Sequence, residues 1–163
     1  MNYHKIEKYS VANGTGIRVV LWCSGCRCYC RNCQNPQTWS FQSGIPFDDN
    51  AKQELFNALN KPYIQGITFS GGHPLENENI STVYNLCKEI KEKFPTKDIW
   101  LYTGYLFEDI HSYLIMKYID VLVDGKYIEE QKDLTLKWRG SKNQRVIDVQ
   151  ETLKQGKIIL YCD

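Results

Sequence analysis

Five cysteines, Cys23, Cys26, Cys28, Cys30 and Cys33, fall within eleven residues of a 163-residue chain. Cys87 and Cys162 stand apart from them. An odd total of seven, with no apolar leader in Met1 to Ser10, argues against a secreted disulfide scaffold. Residues two apart on an extended chain point opposite ways, so Cys26, Cys28 and Cys30 do not pair easily among themselves. The cluster therefore reads as a metal or iron–sulfur site. Two spacings are open. Cys26, Cys30 and Cys33 form C-x3-C-x2-C, three thiolates that can hold three irons of a 4Fe–4S cluster and leave the fourth iron free. Ordinary electron-transfer clusters use four cysteines, whereas an open metal position can take a substrate or cofactor. Alternatively, Cys23, Cys26, Cys30 and Cys33 form C-x2-C-x3-C-x2-C, a closed cluster or a structural zinc site. Against that stands the long loop that usually separates structural zinc pairs. Burial as small hydrophobes suits Cys87 within a helix, but not five cysteines so close together.

The elements around these cysteines alternate between strand and helix. Ile17 to Cys23 is a β-branched run that ends at the cluster. Leu55, Phe56 and Leu59 mark a short helix over 50–60, with Asp49 or Asn50 as its cap and Gln53 completing a capping box. Gly66 to Phe69 is a second strand, running into Ser70-Gly71-Gly72. Ile80, Val83, Cys87, Ile90 and Phe94 keep helical spacing until Pro95 stops it. Asp98 to Tyr102 is a third strand, followed by Thr103-Gly104. Phe107, Ile110 and Leu114 mark another helix, and Ile119 to Val123 a fourth strand, followed by Asp124-Gly125. Arg145 to Val149 and Lys157 to Tyr161 are further strand candidates. This alternation predicts βαβ units in an α/β domain, a mostly parallel, curved, open sheet (a partial β/α barrel) with flanking helices. Ligand sites in such sheets lie at the carboxyl ends of the strands, where the cysteines, Gly71-Gly72, Thr103-Gly104 and Asp124-Gly125 converge.

Together these motifs resemble a family. Cys26-x3-Cys30-x2-Cys33 after a first strand, with Gly71-Gly72 after the next, looks like a radical S-adenosylmethionine enzyme. Asn13-Gly-Thr-Gly-Ile-Arg-Val-Val-Leu-Trp22, Cys33-Gln-Asn-Pro-Gln-Thr-Trp39, Tyr102-Thr-Gly-Tyr105, Asp120-Val-Leu-Val-Asp-Gly125 and Arg139-Gly-Ser-Lys-Asn-Gln-Arg145 narrow the likeness. They resemble, in order and over nearly the whole chain, the activating proteins of anaerobic ribonucleoside-triphosphate reductases. The resemblance implies one radical S-adenosylmethionine domain over 1–163, with Cys26, Cys30 and Cys33 binding a 4Fe–4S cluster. S-adenosylmethionine would chelate the open iron, with its methionine amine held by the loop of Gly71, Gly72 and His73; Thr103 and Asp124, at the next strand ends, could hydrogen-bond a ribose or amino-acid moiety or serve only as turn residues. One electron from a flavodoxin-type donor would release a 5′-deoxyadenosyl radical. That radical would take a hydrogen atom from a glycine of the large subunit of the class III reductase.

Five positions depart from the family pattern. His73 stands where the family usually has an acidic residue, so an acid restored there should attract the methionine ammonium. Asn32 stands where glycine is frequent, and Thr15 where proline is common. Cys23 and Cys28 are additional thiols. Tyr29 and Trp39 are candidates to shield the cluster, or core aromatics. Tyr105, Trp138, Arg139 and Arg145 are candidates for the rim of an open mouth that receives the reductase. Arg139 or Arg145 could instead meet the S-adenosylmethionine carboxylate, or form only a solvated basic patch.

Composition excludes other classes. Twenty basic residues against nineteen acidic ones give a charge of +1, too little for a nucleic-acid coat or an electrostatic membrane binder. No apolar run approaches the roughly 20 residues needed to cross a bilayer, and eleven tyrosines and four tryptophans argue against disorder. A cytoplasmic enzyme is expected. A non-catalytic zinc or iron–sulfur binding module is the competing class.

Overall fold

The computed structural model describes residues 1–163. In chain order the elements are β1 (Asn2–Ser10), β2 (Ile17–Cys23), β3 (Ile45–Pro46), α1 (Asp49–Leu59), β4 (Ile64–Gly71), α2 (Ile80–Lys93), β5 (Asp98–Tyr102), α3 (Phe107–Ile110), β6 (Val121–Asp124), β7 (Arg145–Asp148), α4 (Val149–Gln155) and β8 (Leu160–Cys162). All eight strands join one open sheet in the order β3-β1-β2-β4-β5-β6-β7-β8. The four central strands, β2, β4, β5 and β6, run parallel. Both wings are antiparallel, with β3 and β1 on one side and β7 and β8 on the other. The mostly parallel sheet expected from the sequence is thus the centre of a wider, mixed one.

Strand alternation divides the sheet into two unlike faces. Val19, Leu21 and Cys23 of β2, with Ile67, Phe69, Ile99, Leu101 and Leu122, point into the main core. All four helices close that face. Leu55 and Leu59 of α1, Val83, Cys87 and Ile90 of α2, Phe107 and Ile110 of α3 and Val149 of α4 belong to the same cluster. On the opposite face Trp100, Val121, Val123 and Val146 form a small second cluster, against which Tyr102 and Trp138 pack. Only loops cover this second face, and they leave room for a cleft.

Local chemistry accounts for the boundaries. Asp48 caps α1, its carboxylate accepting from the Ala51 amide at 2.9 Å. The cap therefore comes earlier than Asp49 or Asn50, and Gln53 lies outside the capping box. The helix expected through Leu114 divides into α3 and a separate 3-10 turn, Leu114–Lys117. Leu114 itself is exposed.

Parallel pairing brings the carboxyl ends of the central strands to one edge. Cys23 lies opposite Gly71, Phe69 opposite Leu101, and Tyr102 opposite Val123. The loops that leave this edge carry the chemistry.

Candidate active site

A cleft of about 360 Å³ opens at this edge and runs over the helix-free face. Its volume falls within the range of small-ligand sites. Cys26, Cys28, Cys30 and Cys33 all line it, as do Gly71, Gly72, His73 and Thr103. Cys23 does not. It is fully buried in the core on the helix side, and desolvation pushes its thiol up to about 12. An inert, core-facing Cys23 removes the four-cysteine parse that begins with it. The three-cysteine motif remains, with Cys28 as an extra thiol in the cleft.

The cysteine loop has little regular structure, so its shape comes from its anchors. Tyr29 and Asn32 adopt left-handed backbone, at φ 47° and 55°. Asparagine tolerates that region better than most residues, which suits Asn32 to this turn. Three backbone hydrogen bonds stitch the loop to its surroundings: Gly72 to the Cys23 carbonyl (2.8 Å), His73 to the Gly25 carbonyl (2.8 Å) and Gly25 to the Thr38 carbonyl (2.7 Å). A side chain at Gly72 would sit 2.7 Å from the Gly25 carbonyl oxygen, so only glycine permits this approach. Glu76, almost fully buried, adds a side-chain anchor. It accepts from the Arg27 amide and from Arg27 Nη1, each at 2.8 Å. Arg27 lies between two cleft thiols, so Glu76 ties the loop to the turn after β4.

The thiols are electrostatically unequal. Cys28 donates to the Cys26 sulfur, which lowers the Cys26 thiol to about 7 and raises that of Cys28. Burial raises the Cys30 thiol. Cys26 is therefore readier than Cys28 or Cys30 to bind metal as a thiolate. Three soft donors around one open cleft suit an iron–sulfur cluster with a free iron.

His73 is buried beneath these thiols. Its Nε2 lies 2.6 Å from Thr103 Oγ1 and its Nδ1 3.4 Å from Glu76 Oε1. Tyr105 meets the ring edge-on at 4.4 Å between centroids. Burial lowers the imidazole pKa, against the opposing pull of Glu76, so the ring is neutral at pH 7. His73 is thus built into the wall of the cleft, and a carboxylate already stands beside it. Restoring an acid at 73 would place a second carboxylate near Glu76.

Asp124 does not reach the cleft. It is fully buried, accepts from the Phe107 amide at 2.9 Å, and binds Arg145 through both oxygens at 3.0 and 2.5 Å. Arg145 also grips Glu108 at 3.0 and 2.7 Å. The basic-patch and rim readings of Arg145 therefore give way to a structural one, a clamp joining β6, β7 and α3. Trp138 stacks edge-on to Trp100 and Tyr105 packs on the core, so both are partly built in. Arg139 alone of the two arginines lines the cleft, where Nη1 donates to the Gln144 carbonyl at 2.6 Å. Trp39 lines the cleft and meets the ring of Tyr29 edge-on at 5.2 Å, while Tyr29 is largely exposed.

Lys126 is a second cation lining the cleft that the motifs alone do not single out. Its position just after Asp124-Gly125, at a strand's carboxyl end, is the sequence signal that places it there. Arg18 is fully buried, with no sequence motif to mark its role. It pairs with Asp98 at 2.5 Å and donates to Thr68 and to the Ile67 carbonyl. It holds the sheet rather than a ligand.

Comparison with known proteins agrees with this geometry. Residues 12–147 match the family described as a 4Fe-4S single cluster domain. The chain is 47% identical over 148 residues to the anaerobic ribonucleoside-triphosphate reductase-activating protein of Enterobacteria phage T4, covering 90% of this chain and 93% of that protein. The protein of the same name from Haemophilus influenzae is 43% identical, covering 88% and 96%. That of Escherichia coli K12 is 41% identical over 150 residues, covering 90% and 97%. A chain so similar over nearly its full length, with a cysteine cleft at the carboxyl edge of a parallel sheet, belongs to the family of anaerobic ribonucleoside-triphosphate reductase-activating proteins.

Proposed function

We propose that this chain is a radical S-adenosylmethionine enzyme that activates an anaerobic ribonucleotide reductase by generating a glycyl radical on its large subunit. The observation that carries this reading is the cleft itself, which gathers Cys26, Cys30 and Cys33 beside Gly71 and Gly72 at one sheet edge. Those three thiolates would hold a 4Fe–4S cluster with one open iron. When bound, the cluster would supply the one electron for reductive cleavage of S-adenosylmethionine, and with it the hydrogen-atom abstraction that would place a radical on the reductase glycine.

The chain's own residues bind and orient. The amides of Gly72 and His73 are consumed by the cysteine loop, so the loop after β4 offers carbonyl oxygens, which suit a methionine ammonium. Arg139 and Lys126 supply the cations for its carboxylate. Thr103 is held by His73 and by the Tyr105 amide, and its place at the cleft wall suits a ribose or amino-acid contact. Asp124 acts one step back, by fixing β6 through Arg145. A flavodoxin-type protein is the electron donor in this reading, and the cytoplasm its site of action. No helix is long and apolar enough to cross a membrane.

Anaerobic reconstitution with iron and sulfide, followed by reductant and S-adenosylmethionine, tests this reading. A brown protein with about four irons per chain that releases 5′-deoxyadenosine and methionine is expected. A colourless protein with one zinc and no cleavage would point to the non-catalytic module instead.

A further inference from the structure

Cys28 is the one cleft thiol that the cluster motif does not use, yet it is not isolated. The sulfur of Cys26, the sulfur of Cys28 and a ring nitrogen of His73 lie within 4.8 Å of one another. Cys30 and Cys33 stand outside this trio. We infer that Cys26, Cys28 and His73 form a second metal site, one for a zinc-type divalent ion, and that it excludes the iron–sulfur cluster because both need Cys26. The exclusion rests on the proposed cluster ligation; the zinc site itself does not.

The donor set suits the ion. Two thiolates and an imidazole are a usual tetrahedral zinc complement, with water in the fourth position from the open cleft. Zinc–sulfur bonds of about 2.3 Å and zinc–nitrogen bonds of about 2.0 Å put neighbouring donors roughly 3.5–3.8 Å apart. The present spread needs to close by about 1 Å, and two of the donors sit on an irregular loop. On binding, two thiol protons pass to solvent and no electron moves.

His73 is prepared for the role. A metal-bound histidine keeps its other nitrogen on an outer partner that fixes the ring. Thr103 Oγ1 lies at 2.6 Å from one nitrogen and Glu76 Oε1 at 3.4 Å from the other. Whichever nitrogen turns to the metal, the other keeps a polar neighbour. Gly104 holds the third component in place. A Cβ built there would collide with the Cys28 sulfur, so the absence of a side chain at 104 is what lets that sulfur lie in the cleft.

The test titrates the metal-free full-length chain anaerobically with Zn²⁺, and with Co²⁺ as a spectroscopic substitute. One ion per chain is expected, with a sulfur-to-cobalt charge-transfer band. Cys28→Ser should weaken binding at least about 100-fold, since loss even of an outer-shell partner costs 10- to 100-fold. Gly104→Ala should weaken it too, although every thiol remains. Cys33→Ser should leave it unchanged. Zinc added before iron and sulfide should block cluster assembly in the natural chain but not in Cys28→Ser. Zinc binding that survived Cys28→Ser and was lost with Cys33→Ser would overturn the second site and leave the cluster reading intact. A natural chain that took zinc as described, yet never formed a cluster when zinc was withheld, would sink the cluster reading and spare the zinc site.

Discussion

His73 Nε2 lies 2.6 Å from Thr103 Oγ1, joining the loop after β4 to the loop after β5 across the floor of the cleft. Glu76 approaches the other ring nitrogen at 3.4 Å. A neutral, buried imidazole therefore does the bridging, beside a carboxylate. His73→Asp would lose both contacts and bury a second negative charge near Glu76. Like charges in one buried place disfavour ionisation and folding alike. The variant should lose about 1–3 kcal/mol of stability in urea unfolding and bind S-adenosylmethionine no more tightly. Tighter binding without loss of stability would mean that the ammonium, not Glu76, governs this position.

The cysteines should divide into two groups. Cys26→Ala, Cys30→Ala and Cys33→Ala each remove one ligand of a unit and should abolish iron binding. Cys23→Ala and Cys87→Ala should keep their iron and lose about 1 kcal/mol, the cost of a small deletion from a packed core. Iron analysis after reconstitution separates the groups. Iron that survived loss of Cys30 but not of Cys23 would restore the four-cysteine parse.

Arg145 should matter for folding. Removing it leaves Asp124 buried with only the Phe107 amide for support. Breaking a buried pair costs about 3–5 kcal/mol, and because Arg145 is partly exposed the lower end applies. Arg145→Ala should therefore lose about 3 kcal/mol in denaturant unfolding. Full stability in that variant, with impaired activation of the reductase, would return Arg145 to the interface.

The same clamp has a pH signature. Arg145 holds the Glu108 carboxyl at about 2, below its ordinary 4.5. A carboxyl with a lowered folded pKa stabilises the fold above its unfolded value. That contribution disappears as pH falls from about 4.5 to about 2. Glu108→Gln should flatten part of the decline across this window. Since Glu108 is largely exposed, the effect should also shrink in high salt. An unchanged acid profile in the variant would show that the pair carries no stability.

Much of this architecture is legible in the sequence because each central strand is a short apolar run that ends in a loop rich in Cys, Gly, Thr or Asp. β2, β4, β5 and β6 all read in this way. β1 escapes notice because His4, Lys5, Glu7 and Lys8 interrupt its apolar residues, as suits a strand near the sheet's edge. α4 has only seven residues, too few for a helical period to emerge. The cysteine spacing finds the site but cannot say which face Cys23 takes; the alternation of β2 decides that. The Asp124–Arg145 pair is 21 residues apart in sequence and forms only when β6 and β7 pair. Arg139 and Arg145 look alike in sequence, and the fold alone sends one to the cleft and the other to a clamp.

In the proposed function this chain moves a radical onto a glycine of the large reductase subunit. Low-temperature electron paramagnetic resonance tests it directly, on an anaerobic mixture of the reconstituted chain, the large reductase subunit, reductant and S-adenosylmethionine. A glycine-centred radical signal should appear on the large subunit, with about one 5′-deoxyadenosine formed for each spin, and should vanish with Cys30→Ala. Accumulation of 5′-deoxyadenosine with no radical on the reductase, or a radical that persists without Cys30, would contradict it.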